Sequence, residues 1–308
     1  MQENRLKGLF YCTLSIISWG LLPVSAKGLT EFMDPYTINF FRFALAIVPL
    51  GLYLLTKRRE VVHGRLGIRG MLLLVVAVVA LLLNHIYFMV ALPYIPASSS
   101  QVVIQIGPLL LLMGGLVLFK ESFTRLQWAG VGLLAIGFTL FFNFRLFEII
   151  DPANDYGRGI RIMALAAIVW AFYGLAQKVL VSLISPAVVM MCCYFGGVII
   201  LFPFADKSAF LSLGVVQMAL LLVCTFSSLI AYIAFAESLN YWPTSNSSAL
   251  LALIPLITIG FERIFTVIFP EFMEFSAISF LSLAGALLVV VATMMITICV
   301  GTSPKTSP

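Results

Sequence analysis

Charge is scarce in this chain. Lys, Arg, Asp and Glu together make up 10% of its 308 residues, where about 25% is usual for a soluble domain. That scarcity excludes an ordinary solvated fold. Polar sequence is equally short: the longest stretch is the connection near residues 143–161, and both ends are brief, so no soluble domain fits. Histidine is limited to His63 and His85, and no Ser-His or metal-ligand constellation is visible. The aspartates Asp34, Asp151, Asp155 and Asp206 all fall in loops or at span ends. An enzyme would need clustered nucleophiles, acids or metal ligands, so enzymatic function is not expected. The cysteines Cys12, Cys192, Cys193, Cys224 and Cys299 lie in apolar segments without metal-ligand spacing and read as small buried hydrophobes. No nucleotide-binding motif is present, which removes ATP as an energy source, and no cofactor or metal is expected.

What abounds is hydrocarbon, at 62% of residues. Apolar runs of about 18 or more residues recur along nearly the whole chain, each able to cross ~30 Å of bilayer. The pattern predicts an all-α integral membrane protein with ten transmembrane helices, at 8–27, 35–56, 70–92, 96–119, 126–143, 160–182, 186–204, 214–237, 245–268 and 276–299. Met1–Gly8 is basic, as before a secretory signal, but the following apolar run lacks a small-residue cleavage site and reads as a retained helix. The net charge of +5 is ascribed to loops that fix topology, not to nucleic acid. Inner loops of the first half carry Arg5, Lys7, Lys57, Arg58, Arg59, Arg65, Arg69, Lys120 and Arg125, whereas its outer loops hold little besides Lys27. The central outer connection carries Arg145, Arg158 and Arg161, and the second half is nearly neutral, so the first half decides the orientation. Both termini are expected in the cytoplasm.

The chain also repeats itself. Trp19, Lys27 and Pro35 recur as Trp170, Lys178 and Pro186, all at an offset of 151. Ala91-Leu92-Pro93-Tyr94-Ile95-Pro96-Ala97-Ser98 matches Ser238-Leu239-Asn240-Tyr241-Trp242-Pro243-Thr244-Ser245, and Pro108 matches Pro255, both at an offset of 147. The expected units are residues 1–150 and 151–308, with five helices each. An odd number of spans per unit forces the copies to face opposite ways, which is the signature of alternating-access transporters with a binding site where the halves meet.

Trp-Gly and Ala-Lys in span one, Asp34-Pro35, Arg42-Phe43, the Ala91–Ser98 segment, Pro108-Leu109, Lys120-Glu121 and the glycines Gly130 to Gly137 occur in an order that resembles the EamA-type family of the drug/metabolite transporter superfamily. The resemblance covers essentially the whole chain. It implies ten helices, a central cavity, an inner-membrane location and transport of small organic metabolites, with export the commoner direction. The second half departs from the pattern, with Cys193 where the first half has Arg42 and Ile268 where it has Glu121.

Polar groups at membrane depth are costly and face a cavity or a partner. Asn84 and His85 lie in span three, Gln101 and Gln105 in span four; the two glutamines share a face, and their second-half counterparts are Ser248 and Ala252. A scaffold feature should survive in both halves, so one-sided polarity points to substrate contact. The alternative is interhelical hydrogen bonding. His85 also has a side chain that can titrate near neutral pH. Trp19 and Trp170 sit too deep for an interfacial belt and could line the cavity or serve packing that both repeats need. Tyr173 and Gln177, Ser228 and Tyr232, and Phe88 with Tyr87 extend the candidate substrate surface. Arg42 could bind a carboxylate, snorkel or pair structurally, and the resemblance favours the structural role. Lys27 and Lys178 are expected to snorkel. Glu262 could pair with Arg263 or form a coupling-ion site. Pro108 and Pro255 should kink spans four and nine and act in gating. Gly130, Gly132 and Gly137, with Ala284-Gly285-Ala286, suit helix packing or a dimer contact.

Aromatic surface, amide groups and low cavity charge suit an amino acid or similar zwitterion. The reading is therefore a secondary transporter, monomeric or homodimeric, whose partners are a small-molecule substrate and the lipid bilayer. The alternatives are a lipid-carrier flippase or a non-transporting membrane receptor.

Overall fold

The computed structural model describes residues 2–56, 66–119, 124–242, 247, 250–269 and 279–298, the side chains of 2–5 excepted. Several residues named above lie outside the described ones: Lys57, Arg58, Arg59, His63, Arg65, Lys120, Glu121, Pro243, Thr244, Ser245, Ser248 and Cys299.

Helices carry the fold. In chain order they are α1 (Gln2–Leu29), α2 (Pro35–Thr56), α3 (Ile68–Ala91), α4 (Ala97–Val103), α5 (Ile106–Phe119), α6 (Arg125–Phe141), α7 (Leu146–Ile150), α8 (Asp155–Leu180), α9 (Pro186–Leu201), α10 (Val215–Ser238), α11 (Ile254–Ile268) and α12 (Phe280–Ile298). Local chemistry sets many of the boundaries. Pro35 and Pro186 open α2 and α9, where a missing N–H costs nothing. Asp34 Oδ1 accepts from the backbone N–H groups of Tyr36 and Thr37. Thr124 and Gln127 form a reciprocal capping box on α6, and Asn154 caps α8.

Among the described residues seven spans are long and apolar enough to cross a membrane: Leu6–Leu29, Pro35–Thr56, Ile68–Ala91, Ala97–Leu118, Asp155–Leu180, Val215–Ser238 and Phe280–Thr297. The expected fifth and seventh spans are shorter, and the expected ninth lies partly outside the described residues. α6 gives way at Asn143, whose Nδ2 donates to Leu140 O, and the chain turns by 72° into residues 143–150. α9 stops at Leu201, ahead of Pro203. α11 has 15 residues, and most of the chain just before it lies outside the described residues. The connection expected at 143–161 is largely helical: it holds a 3-10 turn, α7 and the start of α8, which begins at Asp155 because Asn154 supplies the cap.

Packing runs mainly between the two halves. α1 lies on α10 and α3 on α8; α2 pairs with α9, and α6 with α12. α1 meets α11 as α8 meets α5, and α2 meets α10 as α9 meets α3. Exchanging first-half helices for their second-half equivalents leaves this set unchanged. The exchange holds for single residues too. Ser15 Oγ donates to Ala231 O at 2.9 Å, and Asn84 Nδ2 donates to Ala166 O at 2.9 Å. Position 166 is position 15 moved by 151, and 231 is 84 moved by 147. Gly8 is pressed against Trp242 just as Gly159 is pressed against Tyr94 and Ile95. Gly137 and Gly285 bring the α6 and α12 backbones together: a Cβ on Gly285 would strike the Phe141 backbone nitrogen. Gly130, Gly137 and Gly285 are thus spent on this contact, whereas Gly132 is exposed with open space beside it.

Candidate functional site

α2, α3, α8, α9 and α10 enclose a polar cluster inside an apolar core that includes Phe40, Leu81, Leu82 and Leu229. Phe43 of α2 and Tyr194 of α9 stack at 5.2 Å between ring centroids and 19° between planes. They are equivalent positions at the 151 offset, so the contact joins the halves at matching places. His85 meets the edge of Phe43 at 5.2 Å and 81°. Arg42, 2% exposed, donates through Nη1 to Asn39 Oδ1 at 3.0 Å. Asn39 Nδ2 in turn donates to His85 O at 3.1 Å, which ties α2 to α3.

Four polar atoms here are buried without a hydrogen-bond partner: Arg42 Nε, His85 Nε2, Tyr173 Oη and Tyr194 Oη. Buried polar atoms are normally paired. Four orphans from four helices in one apolar shell form an arrangement that a solute's polar groups can complete. Tyr173 and Tyr194 are buried members of this core, and Tyr232 packs against it.

Other sequence candidates divide. Tyr232 packs against the core that holds Tyr173 and Tyr194. Trp19 reaches it through an edge contact with Tyr232 at 5.0 Å and 86°. Trp170 packs over Gly107, between α8 and the start of α5. Gln101 and Gln105 are both buried on span four, and Gln177 is half-buried on α8. Phe88 belongs to the second core, with Leu22, Ala26 and Val102. Asn84 commits its amide to Ala166 O, and Ser228 commits its hydroxyl to Thr225 O at 2.8 Å. At the 147 offset His85 answers to Tyr232, so the two halves present different polar groups at one matched place.

The prolines interrupt helices rather than merely bend them. Span four breaks between α4 and α5, two residues ahead of Pro108, and the backbone there tightens to i→i−3 bonds from Gln105 to Val102 and from Gly107 to Ile104. The cause is the clash of the ring with the carbonyl four residues back, together with the missing N–H. Pro255 repeats this at the start of α11, where Leu256 bonds to Leu253.

Glu262 is 7% exposed. Its two oxygens accept from the backbone N–H groups of Ala97 at 2.9 Å and Ser98 at 3.1 Å. It therefore caps α4, across the boundary between the halves. Lys27 does not snorkel: its Nζ donates to Leu92 O, at the C-cap of α3, at 2.8 Å and to Ile95 O, in the turn before α4, at 2.7 Å. Lys178 is exposed.

Sequence reasoning passed over Tyr194 and Asn39. Tyr194 carried a usable signal, because it replaces Phe43 of the first half by a residue with a hydroxyl. Asn39 carried one as well: three residues before Arg42, it shares a helix face with the only arginine inside that span.

A model of the EamA-like transporter family matches residues 6–143 and again 157–298. An uncharacterized inner membrane transporter of Escherichia coli (strain K12), YhbE, is 33% identical over 295 residues, covering 96% of this chain and 92% of its own. An uncharacterized transporter of Haemophilus influenzae is 30% identical over 295 residues, with 96% of each chain covered. A solved crystal structure superposes with a TM-score of 0.62 at 16% identity, covering 94% of this chain and 95% of that one, which shows a shared fold.

Proposed function

We propose that this chain, which belongs to the EamA-like transporter family, is a secondary transporter that moves a small organic metabolite across the inner membrane by alternating access. Family and relatives indicate a transporter rather than an enzyme, and an all-helical, multi-pass inner-membrane protein. The finer reading is ours. It has ten spans in two inverted units, 1–150 and 151–308, with both termini cytoplasmic. The solute is an amino acid or similar zwitterion, the usual direction is export, and the working form is a monomer or homodimer.

The observation that carries this reading is the enclosed cluster of orphaned polar atoms where matched helices of the two halves meet. Inverted repeats place substrate sites at such a junction. Helix pairings that survive exchange of the halves support the repeat, as do the matched links Ser15–Ala231 and Asn84–Ala166. His85, Tyr173 and Tyr232 offer polar contacts to the solute, with Gln101, Gln105 and Gln177 as further amides. Trp19 and Trp170 offer aromatic faces, able to hold an ammonium group. The breaks ahead of Pro108 and Pro255 are the proposed gating points, because interrupted helices can rearrange without breaking a continuous ladder of bonds.

The test is flux in liposomes. Purified protein is screened against labelled amino acids and related metabolites, with and without a pH gradient. Saturable uptake of at least one amino acid above protein-free liposomes is the expected result. Uptake of lipid carriers alone, or of nothing, refutes the reading.

A further inference from the structure

The central cluster has a sign. Arg42 lies about 10 Å along α2 from its first residue, at 1.5 Å per residue, and is 2% exposed, so it does not snorkel to water. A guanidinium in such a place needs a counter-charge. Among the described residues no carboxylate stands within ion-pair distance of it. The one buried acid among the described residues, Glu262, is held elsewhere, by the amides of Ala97 and Ser98. Arg42 spends Nη1 on a neutral amide oxygen, Asn39 Oδ1, and its Nε–H has no partner. Nε is one corner of the planar fork with which arginine grips a carboxylate. The orphaned hydroxyl of Tyr194 belongs to the same enclosed group and supplies a further donor of suitable kind.

We propose that Arg42, assisted by Tyr194, is the docking point for a carboxylate on the transported solute. The inference rests on the transporter reading and narrows it: the solute carries one carboxylate, and Arg42, the one buried cation among the described residues, matches it. A phosphate dianion would leave a charge unmatched. The aromatic pair Trp19–Tyr232 is in edge contact at 5.0 Å, and Tyr232 packs against the same apolar core as Tyr194, where it would receive the remainder of the solute. The bland alternative is that Arg42 only braces Asn39 and, through it, α3. Bracing does not depend on what the solute carries, so selectivity separates the two.

Binding is read by thermal stability of the full chain in lipid nanodiscs, and flux is measured separately in liposomes. The probes are L-phenylalanine, L-threonine and L-glutamine, their primary amides, phenethylamine, phenylacetate, sodium chloride and sodium phosphate. At least one acid is expected to bind ten- to a hundredfold more tightly than its own amide, as loss of a charge-assisted contact requires, to within about a factor of ten. Arg42→Gln should bring that ratio to within about twofold, Arg42→Lys should restore part of it, and Tyr194→Phe should lower it several-fold. Tyr194→Phe carries the test where Arg42→Gln does not yield folded protein. Equal affinity for acid and amide overturns the proposal. So does full stabilisation by chloride or phosphate alone, a panel in which no carboxylate binds, or an acid preference that survives Arg42→Gln. Acid binding without flux sinks the transporter reading and leaves the carboxylate site standing; flux of amides and amines equal to that of acids does the reverse.

Discussion

Removal of the Glu262 carboxylate separates a structural from a coupling role for the one buried acid among the described residues. The side chain is 7% exposed and accepts two backbone N–H groups, Ala97 at 2.9 Å and Ser98 at 3.1 Å. These donors open α4, where the helix has no earlier carbonyl to satisfy them and where negative charge is favoured. Glu262→Ala leaves both without an acceptor in a buried setting. At about 1–3 kcal/mol for each stranded group, the expected loss is about 2–6 kcal/mol. Glu262→Gln keeps one acceptor oxygen and turns an NH2 toward the other donor, so about half of that loss should remain. Melting in detergent, followed by the retention of monodisperse protein, should fall on the order of 10 °C for Ala and less for Gln. Flux should fall in proportion to the folded fraction. A coupling-ion role gives the opposite pattern: Gln melts like wild type, while flux loses its dependence on the ion gradient. Wild-type melting in both variants would refute the capping argument.

Pro108→Ala and Pro255→Ala should leave insertion intact and change the maximal transport rate more than KM, because each restores a hydrogen bond across a helix break; wild-type kinetics in both would count against gating. His85→Leu and Gln105→Leu should lower flux without lowering the yield of folded protein, since leucine suits a bilayer interior; unchanged flux in both would remove these residues from the site. Asn39→Ala strands Arg42 Nη1 and frees the His85 carbonyl, and should cost about 1–3 kcal/mol in thermal unfolding. Gly285→Val should lower the melting temperature by several degrees, because its side chain collides with the Phe141 backbone on α6; an unchanged transition would mean that α6 and α12 do not pack in the observed register.

The sequence was informative where structure depends on neighbours in the chain. Pro35 and Pro186 mark helix starts because proline fits a first turn, and the helices begin there. The break in span four lies where Pro108 makes an unbroken ladder impossible. α8 starts five residues earlier than hydropathy suggests, because a cap at Asn154 outweighs the polarity of Asp155 and Arg158. Long-range partners were not legible. The bonds from Glu262 to Ala97 and Ser98 join residues 165 and 164 positions apart, and no local pattern announces them. What stands across from Arg42 was not legible either, because it depends on helices distant in the chain. Tyr194 was within reach of the rule applied elsewhere, that polarity present in one repeat and absent from the other points to the solute.

Counterflow tests the central claim most directly. Liposomes holding the purified protein are preloaded with a high concentration of an unlabelled amino acid, diluted, and given a trace of the same compound in labelled form outside. A carrier that exposes one site to each side in turn exchanges label for unlabelled solute, so the account predicts a transient accumulation of label above its outside concentration, abolished by Arg42→Gln. Label that only equilibrates, with a rate indifferent to the preload, would contradict alternating access.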